Sequence, residues 1–270
     1  MRMSYSRKHN GLPLKLLLLS LIVAGTIIFL PAQTASDDGN NTPIDHQTET
    51  ESNEQREEVA LEEEYDYSQP VPATHAAADD FFRDAVFIGD SRTAGLQKLG
   101  GLTEATYYTA IGLKVDTIFT KEVVNTKDGS KKTIITALRQ KPFKKVYIML
   151  GINELGWAYS DLFIAKYEEL IEEIKKIEPK AQIYVQSILP VSKKKSESDQ
   201  IYNNAKIREY NQLIQKMAEK YSVYYLNVAE CMLDQMGNLP EEASADGVHL
   251  NKKYCDLWIE YLRTHYVSEK

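Results

Sequence analysis

Cysteine is nearly absent from this 270-residue chain, and the two present, Cys231 and Cys255, lack the Cys-x-x-Cys or Cys/His spacing of a zinc site. A structural metal is therefore not what organises the fold. In an oxidising compartment the pair admits a disulfide, with two buried free thiols as the plainer alternative. Net positive charge is missing as well. The chain carries 32 Lys and Arg against 39 Asp and Glu, a net charge of -7, with a pI near 5.4. No basic face interleaved with aromatics occurs, which argues against nucleic acid as a partner. The negative excess is local, since Asp37 to Asp66 holds 12 acidic residues against the single Arg56.

A long uncharged run is also lacking, with one borderline exception. Arg2, Arg7, Lys8 and Lys15 precede Leu16 to Leu30, which reads LLLLSLIVAGTIIFL without a charge. That length falls between the core of a signal peptide and a spanning helix of about 20 residues. The AQTAS that follows Pro31 offers Gln33 where a cleavage site wants a small residue, which favours an uncleaved anchor. Positive charge before the apolar run places the remainder outside the cytoplasm. Residues 1–10 are thus expected as a short cytoplasmic segment and 11–31 as a membrane anchor or signal. Residues 32–77 are polar, acidic and poor in large apolar groups, the composition of a disordered linker. The domain proper is expected over 78–270.

From Asp79 onward short apolar runs alternate with amphipathic stretches. Ala85 to Gly89, Thr106 to Ala110, Lys145 to Leu150, Gln182 to Ser187 and Val223 to Val228 read as strands, rich in β-branched residues or Tyr. Ser160 to Lys176 spaces Ile164, Tyr167, Leu170, Ile171 and Ile174 by three and four residues, and Tyr202 to Lys220 repeats the pattern. Strands apolar on both faces, alternating with helices, predict a three-layer α/β/α sandwich around a mainly parallel five-stranded sheet. The 17 tyrosines fall mostly in these strands and stripes, where core packing is the default.

In such sheets reactive groups belong at the carboxyl ends of the strands. The first strand runs into Asp90-Ser91-Arg92, the second into Ala110-Ile111-Gly112, and the third into Gly151-Ile152-Asn153-Glu154. Near the C-terminus stands Asp246-Gly247-Val248-His249, a carboxylate three residues ahead of an imidazole. A lone Gly-Asp-Ser is more often a capped turn, but four blocks in this order, each at a strand end or in a loop, are hard to assign to turns alone.

The constellation resembles the SGNH hydrolase superfamily, which includes the GDSL lipases and esterases, over Phe81 to Tyr266. The resemblance implies Ser91 as nucleophile, His249 as base and Asp246 as the residue that orients it. It also implies an oxyanion hole made of the Ser91 and Gly112 N–H groups and the Asn153 amide. Arg92 stands where Leu would complete GDSL, and the block around Gly112 has the fewest landmarks. Such a site needs no metal and no organic cofactor. Water attacking the acyl-enzyme would make an esterase of small acyl groups on cell-envelope carbohydrate, and a sugar hydroxyl would make an O-acyltransferase. A non-catalytic glycan-binding module is the third reading, though the presence of both Asp246 and His249 argues against a dead homologue. Further candidates for substrate contact are Asp90, Arg92, Glu154 and Trp157. Helix-surface salt bridging is the ordinary alternative for Arg92, and a solvated or capping carboxylate for Glu154. The loop from Leu189 to Ser192 is expected at the same edge, and the catalytic domain is expected to be monomeric.

Overall fold

The computed structural model describes residues 65–268. The expected segments 1–10 and 11–31, and most of the acidic linker, lie outside the described residues. Among the described residues no helix is long and apolar enough to cross a membrane.

Five parallel strands form the central sheet: β1 (Ala85–Gly89), β2 (Thr106–Thr109), β5 (Lys145–Met149), β6 (Gln182–Gln186) and β7 (Tyr224–Leu226), in the spatial order β2-β1-β5-β6-β7. β3 (Glu122–Asn125) and β4 (Lys131–Thr133) form a separate antiparallel hairpin. The helices are α1 (Ser91–Leu99), α2 (Ile134–Gln140), α3 (Ser160–Ile177), α4 (Lys193–Ser198), α5 (Asn204–Lys220) and α6 (Lys252–Thr264). From β1 the chain steps outward to β2, then returns past β1 to continue as β5. The strand order therefore reverses between β1 and β5, the place where the loops leaving the sheet diverge and open a crevice.

Alternation along each strand decides which layer a residue joins. Val86 and Ile88, Val146 and Ile148, and Ile183 and Val185 pack with the buried stripes of α2, α3 and α5. Ala85, Phe87, Tyr147, Met149 and Tyr184 pack with Leu96 of α1 and with Trp258, Ile259 and Leu262 of α6. That second face carries an aromatic ladder. Tyr107, Phe87, Tyr147, Tyr184 and Tyr224, one from each strand in sheet order, stack with centroid separations of 4.9, 4.8, 4.7 and 5.0 Å. In-register parallel pairing aligns the rings, because Phe87 lies opposite both Tyr107 and Tyr147, and Tyr184 opposite Tyr147 and Tyr224. Each ring pair adds about 0.5–1.5 kcal/mol to the area it buries.

Three features depart from the sequence reading. The β3–β4 hairpin and α2 are additional elements. β7 stops at Leu226 rather than continuing to Val228, where the chain turns through Asn227 into a short 3-10 helix, Val228–Met232. The linker assignment also ends too late. Residues 65–77 lie along the domain: Val71 is 2% exposed, its N–H donates to Tyr225 O at 2.9 Å, and Thr74 and Ala77 donate to Thr264 O and Arg263 O. Tyr65 and Tyr67 close on Tyr224 at 5.0 and 5.4 Å. A handful of apolar groups in an otherwise polar stretch is enough to anchor it.

The ladder carries a flaw. The hydroxyl of Tyr147, at its centre, is buried without a hydrogen-bond partner, and desolvation raises its pKa well above that of free tyrosine. An unpaired buried hydroxyl costs about 1–3 kcal/mol. Tyr147→Phe keeps the stack and removes the orphan, so the urea midpoint is expected to rise by the equivalent of about 1 kcal/mol. Tyr147→Ala is expected to lower stability by about 3–5 kcal/mol. A fall in Tyr147→Phe would contradict this account of the ladder.

Candidate active site

The end of β1 supplies the serine. Asp90 caps α1 by accepting the Arg92 N–H at 2.8 Å, and the helix begins at Ser91. Ser91 Oγ lies 2.8 Å from His249 Nε2. His249 Nδ1 in turn lies 2.6 Å from Asp246 Oδ2. The other Asp246 oxygen accepts from the backbone N–H groups of Val248 and His249 at 2.9 and 2.8 Å and from the Ser244 hydroxyl at 3.0 Å. Ser244, buried ahead of the aspartate, is a residue that sequence reasoning did not single out. Its only signal is a short polar side chain two positions before Asp246.

Asp246 loses some solvent on burial, which by itself raises its pKa. The His249 ring, the two backbone N–H groups and Ser244 outweigh that effect and hold the carboxyl well below the usual range. The carboxylate is ionised at neutral pH, so the bond to Nδ1 must carry its proton on the ring nitrogen. Nε2 then presents a lone pair, and the Ser91 hydroxyl donates to it. This arrangement can take a proton from the serine as it attacks a carbonyl. The side chains of His249 and Asp246 are 50% and 56% exposed, so the site is open to solvent.

A second loop meets the edge at the same side. Asn153 Nδ2 donates to Leu113 O at 3.0 Å, which joins the loop after β5 to the loop after β2. Gly112 is exposed there with φ +66°. A Cβ would meet nothing within 4 Å, so the left-handed backbone rather than crowding is what calls for glycine. Leu113 N–H closes the turn onto Ala110 O at 3.1 Å.

The other candidates are wholly or partly buried. Arg92 is 3% exposed and points inward rather than along the helix surface. Its guanidinium donates to Leu189 O at 2.5 Å and Pro190 O at 3.3 Å. Two residues on, Ser192 N–H donates to Gly247 O at 2.9 Å. A Cβ on Gly247 would come within 2.7 Å of Ser192 Oγ, and its φ is +77°, so glycine is required where these loops cross. Arg92 thus ties the helix bearing Ser91 to the loop bearing His249. Burial lowers its pKa to about 10 even though Asp90 beside it acts the other way.

Glu154 is fully buried rather than solvated, with Oε1 accepting the Val115 N–H at 2.6 Å. Asp90 is buried beneath Ser91. Trp157 lies in the loop after β5 and is partly buried against the core. Cys231 and Cys255 are free thiols.

Desolvation raises Glu154 to about 7, against the pull of the Val115 N–H and with help from the Asp90 charge. Asp90 is raised to about 6, again mainly by desolvation. Both carboxyls bind their protons more tightly folded than unfolded. Between about pH 3.8 and 6 for Asp90 and about pH 4.5 and 7 for Glu154 the native state therefore holds more protons than the unfolded state, and stability falls as pH rises, by at most about 1.4 kcal/mol per pH unit for each group. Urea midpoints measured across these windows should decline with pH in the wild type and decline less in Glu154→Gln. Identical slopes would mean that Glu154 is not held partly protonated by its burial.

The model of the GDSL-like lipase/acylhydrolase family matches residues 87–254, more than half of the chain. No curated protein matches the sequence. Solved structures do. A Streptococcus pneumonia protein named after platelet activating factor aligns with a TM-score of 0.53 at 24% identity, covering 68% of this chain and 88% of its own. A GDSL-like lipase from Bacteroides thetaiotaomicron aligns with a TM-score of 0.52 at 16% identity, covering 73% and 91%. At these identities the likeness is one of fold, while the family match spans both Ser91 and His249. The chain belongs to the GDSL-like lipase/acylhydrolase family, and with it to the hydrolases of carboxylic esters.

Proposed function

We propose that this protein removes small acyl groups, acetyl foremost, from ester-bearing carbohydrate of the cell envelope, with Ser91 as nucleophile, His249 as base and Asp246 as its orienting carboxylate. The observation that carries the reading is the unbroken line of hydrogen bonds from Ser91 Oγ through His249 to Asp246. On this reading His249 Nε2 takes the Ser91 proton as Oγ bonds to the ester carbonyl carbon. The N–H groups of Ser91 and Gly112 and the Asn153 amide then receive the oxyanion. Collapse of the tetrahedral intermediate breaks the bond to the alcohol, which leaves with the proton held by His249. Water, deprotonated by the same imidazole, hydrolyses the acyl-enzyme and releases the acid.

Two features favour a small acyl group on a bulky carrier. The imidazole and carboxylate are half exposed, which suits an ester displayed on a polymer that cannot enter a deep cavity. The basic residues ahead of Leu16 to Leu30 favour residues 11–31 as a membrane anchor with the catalytic domain on the outer side, near envelope substrates. Residues 32–64 would then join the two.

Hydrolysis of p-nitrophenyl acetate is the first test. Wild type should turn over this ester, and Ser91→Ala should lose the activity. Asn153→Ala should retain binding but lose about a hundredfold to a thousandfold in kcat, the usual effect of deleting one oxyanion donor. Equal rates in wild type and Ser91→Ala would remove the proposal. Acetate release from acetylated wall fragments tests the carrier, and acyl loss that accelerates on adding a glycan acceptor would point to transfer instead of hydrolysis.

A further inference from the structure

We propose that Glu154 is a positioning residue for the oxyanion site, clamping the loop that carries Gly112 from beneath. This deepens the reading above and rests on it for the role of Gly112. The loop between β2 and β3 leaves the sheet after Ala110, whose N–H donates to Gly89 O at 3.3 Å, yet the backbone beyond that bond must be fixed if the Gly112 N–H is to meet a developing charge. Two successive residues of the loop after β5 do this. Asn153 Nδ2 takes hold of Leu113 O at 3.0 Å, and Glu154 Oε1 takes hold of the Val115 N–H at 2.6 Å. One grips a carbonyl and the other an amide, so the segment just past Gly112 is fixed in both translation and twist.

Glu154 is itself immobilised. Its N–H donates to Gly151 O at 3.2 Å, and its carbonyl accepts from Trp157 N–H at 2.8 Å and from the Tyr210 hydroxyl on α5 at 3.1 Å. Placing a carboxyl in a fully buried position is costly unless it is hydrogen-bonded, and Glu154 Oε2 has no partner. An apolar residue would fill this space more cheaply but would leave the Val115 N–H without an acceptor. The side chain needs one acceptor oxygen at the reach of a glutamyl group, and it does not need a charge. Glutamine meets that requirement, while aspartate, one methylene shorter, does not. Displacing an oxyanion donor by about 1 Å costs up to a hundredfold in rate, so loss of the clamp should appear in kcat rather than in KM.

The experiment compares p-nitrophenyl acetate kinetics of wild type, Glu154→Asp, Glu154→Gln and Ser91→Ala, with amide hydrogen exchange of residues 110–117 followed in the same full-length proteins. Glu154→Asp should reduce kcat roughly 10- to 100-fold, with KM changed less than about twofold, and the Val115 amide should exchange faster. Glu154→Gln should keep kcat within about threefold and leave that amide protected. The clamp is overturned if Glu154→Asp matches wild type in kcat and exchange, or if Glu154→Gln falls as far as Glu154→Asp, which would make charge rather than reach the requirement. Wild type lacking any Ser91-dependent hydrolysis would instead overturn the reading of the site, and Val115 exchange alone would then decide the clamp.

Discussion

A hydroxyl at residue 91 and an imidazole at residue 249 share a hydrogen bond of 2.8 Å across 158 positions of chain, and most of the architecture around the site serves that contact. Parallel strands make it possible, because every strand delivers its following loop to the same edge. The reversal of strand order between β1 and β5 separates two of those loops, and the serine follows the first of these strands while Asn153 follows the second. The C-terminal loop then reaches this edge as α6 begins. Arg92 and the Ser192–Gly247 crossing fix it there, joining the serine helix to the histidine loop through backbone carbonyls and amides. Asp246, ionised under the pull of four donors, holds the imidazole of His249 with Nε2 turned to the Ser91 hydroxyl.

The site is backed by buried polar groups, at a cost to stability. Asp90, Arg92 and Glu154 are all buried close behind Ser91, where burial moves each pKa toward the neutral form. Arg92 Nε, Thr93 Oγ1 and Glu154 Oε2 lack partners in the same region. A core built for stability alone would use apolar residues here. The surrounding layers compensate: two hydrophobic clusters enclose the sheet, and the ring ladder ties all five strands together on one face.

Much of this was legible in the sequence because it depends on period and position. Continuous apolar runs at Ala85, Lys145 and Gln182 announce strands buried on both faces, and Ser91 and Asn153 stand just past the ends of the first two. The direction of individual charged side chains was not legible. Arg92 and Glu154 have the composition of surface residues, and only the meeting of loops distant in sequence turns them inward to backbone partners. The β3–β4 hairpin escaped for a related reason. Its strands, EVVN and KKT, lie outside the main sheet and are at most half-buried, so they lack the apolar pattern by which strands are recognised. Residues 65–77 have the composition of a linker because three anchoring side chains, Tyr65, Tyr67 and Val71, are too few to shift that of a polar segment.

The central claim, that three hydrogen-bond donors converge on an activated Ser91, is tested most directly by a crystal structure of the protein after reaction with a small fluorophosphonate. The account predicts a covalent bond from phosphorus to Ser91 Oγ, with one phosphonyl oxygen about 2.7–3.1 Å from Ser91 N, Gly112 N and Asn153 Nδ2. Failure of the reagent to modify Ser91, or an adduct whose oxygen turns to solvent away from these donors, would contradict it.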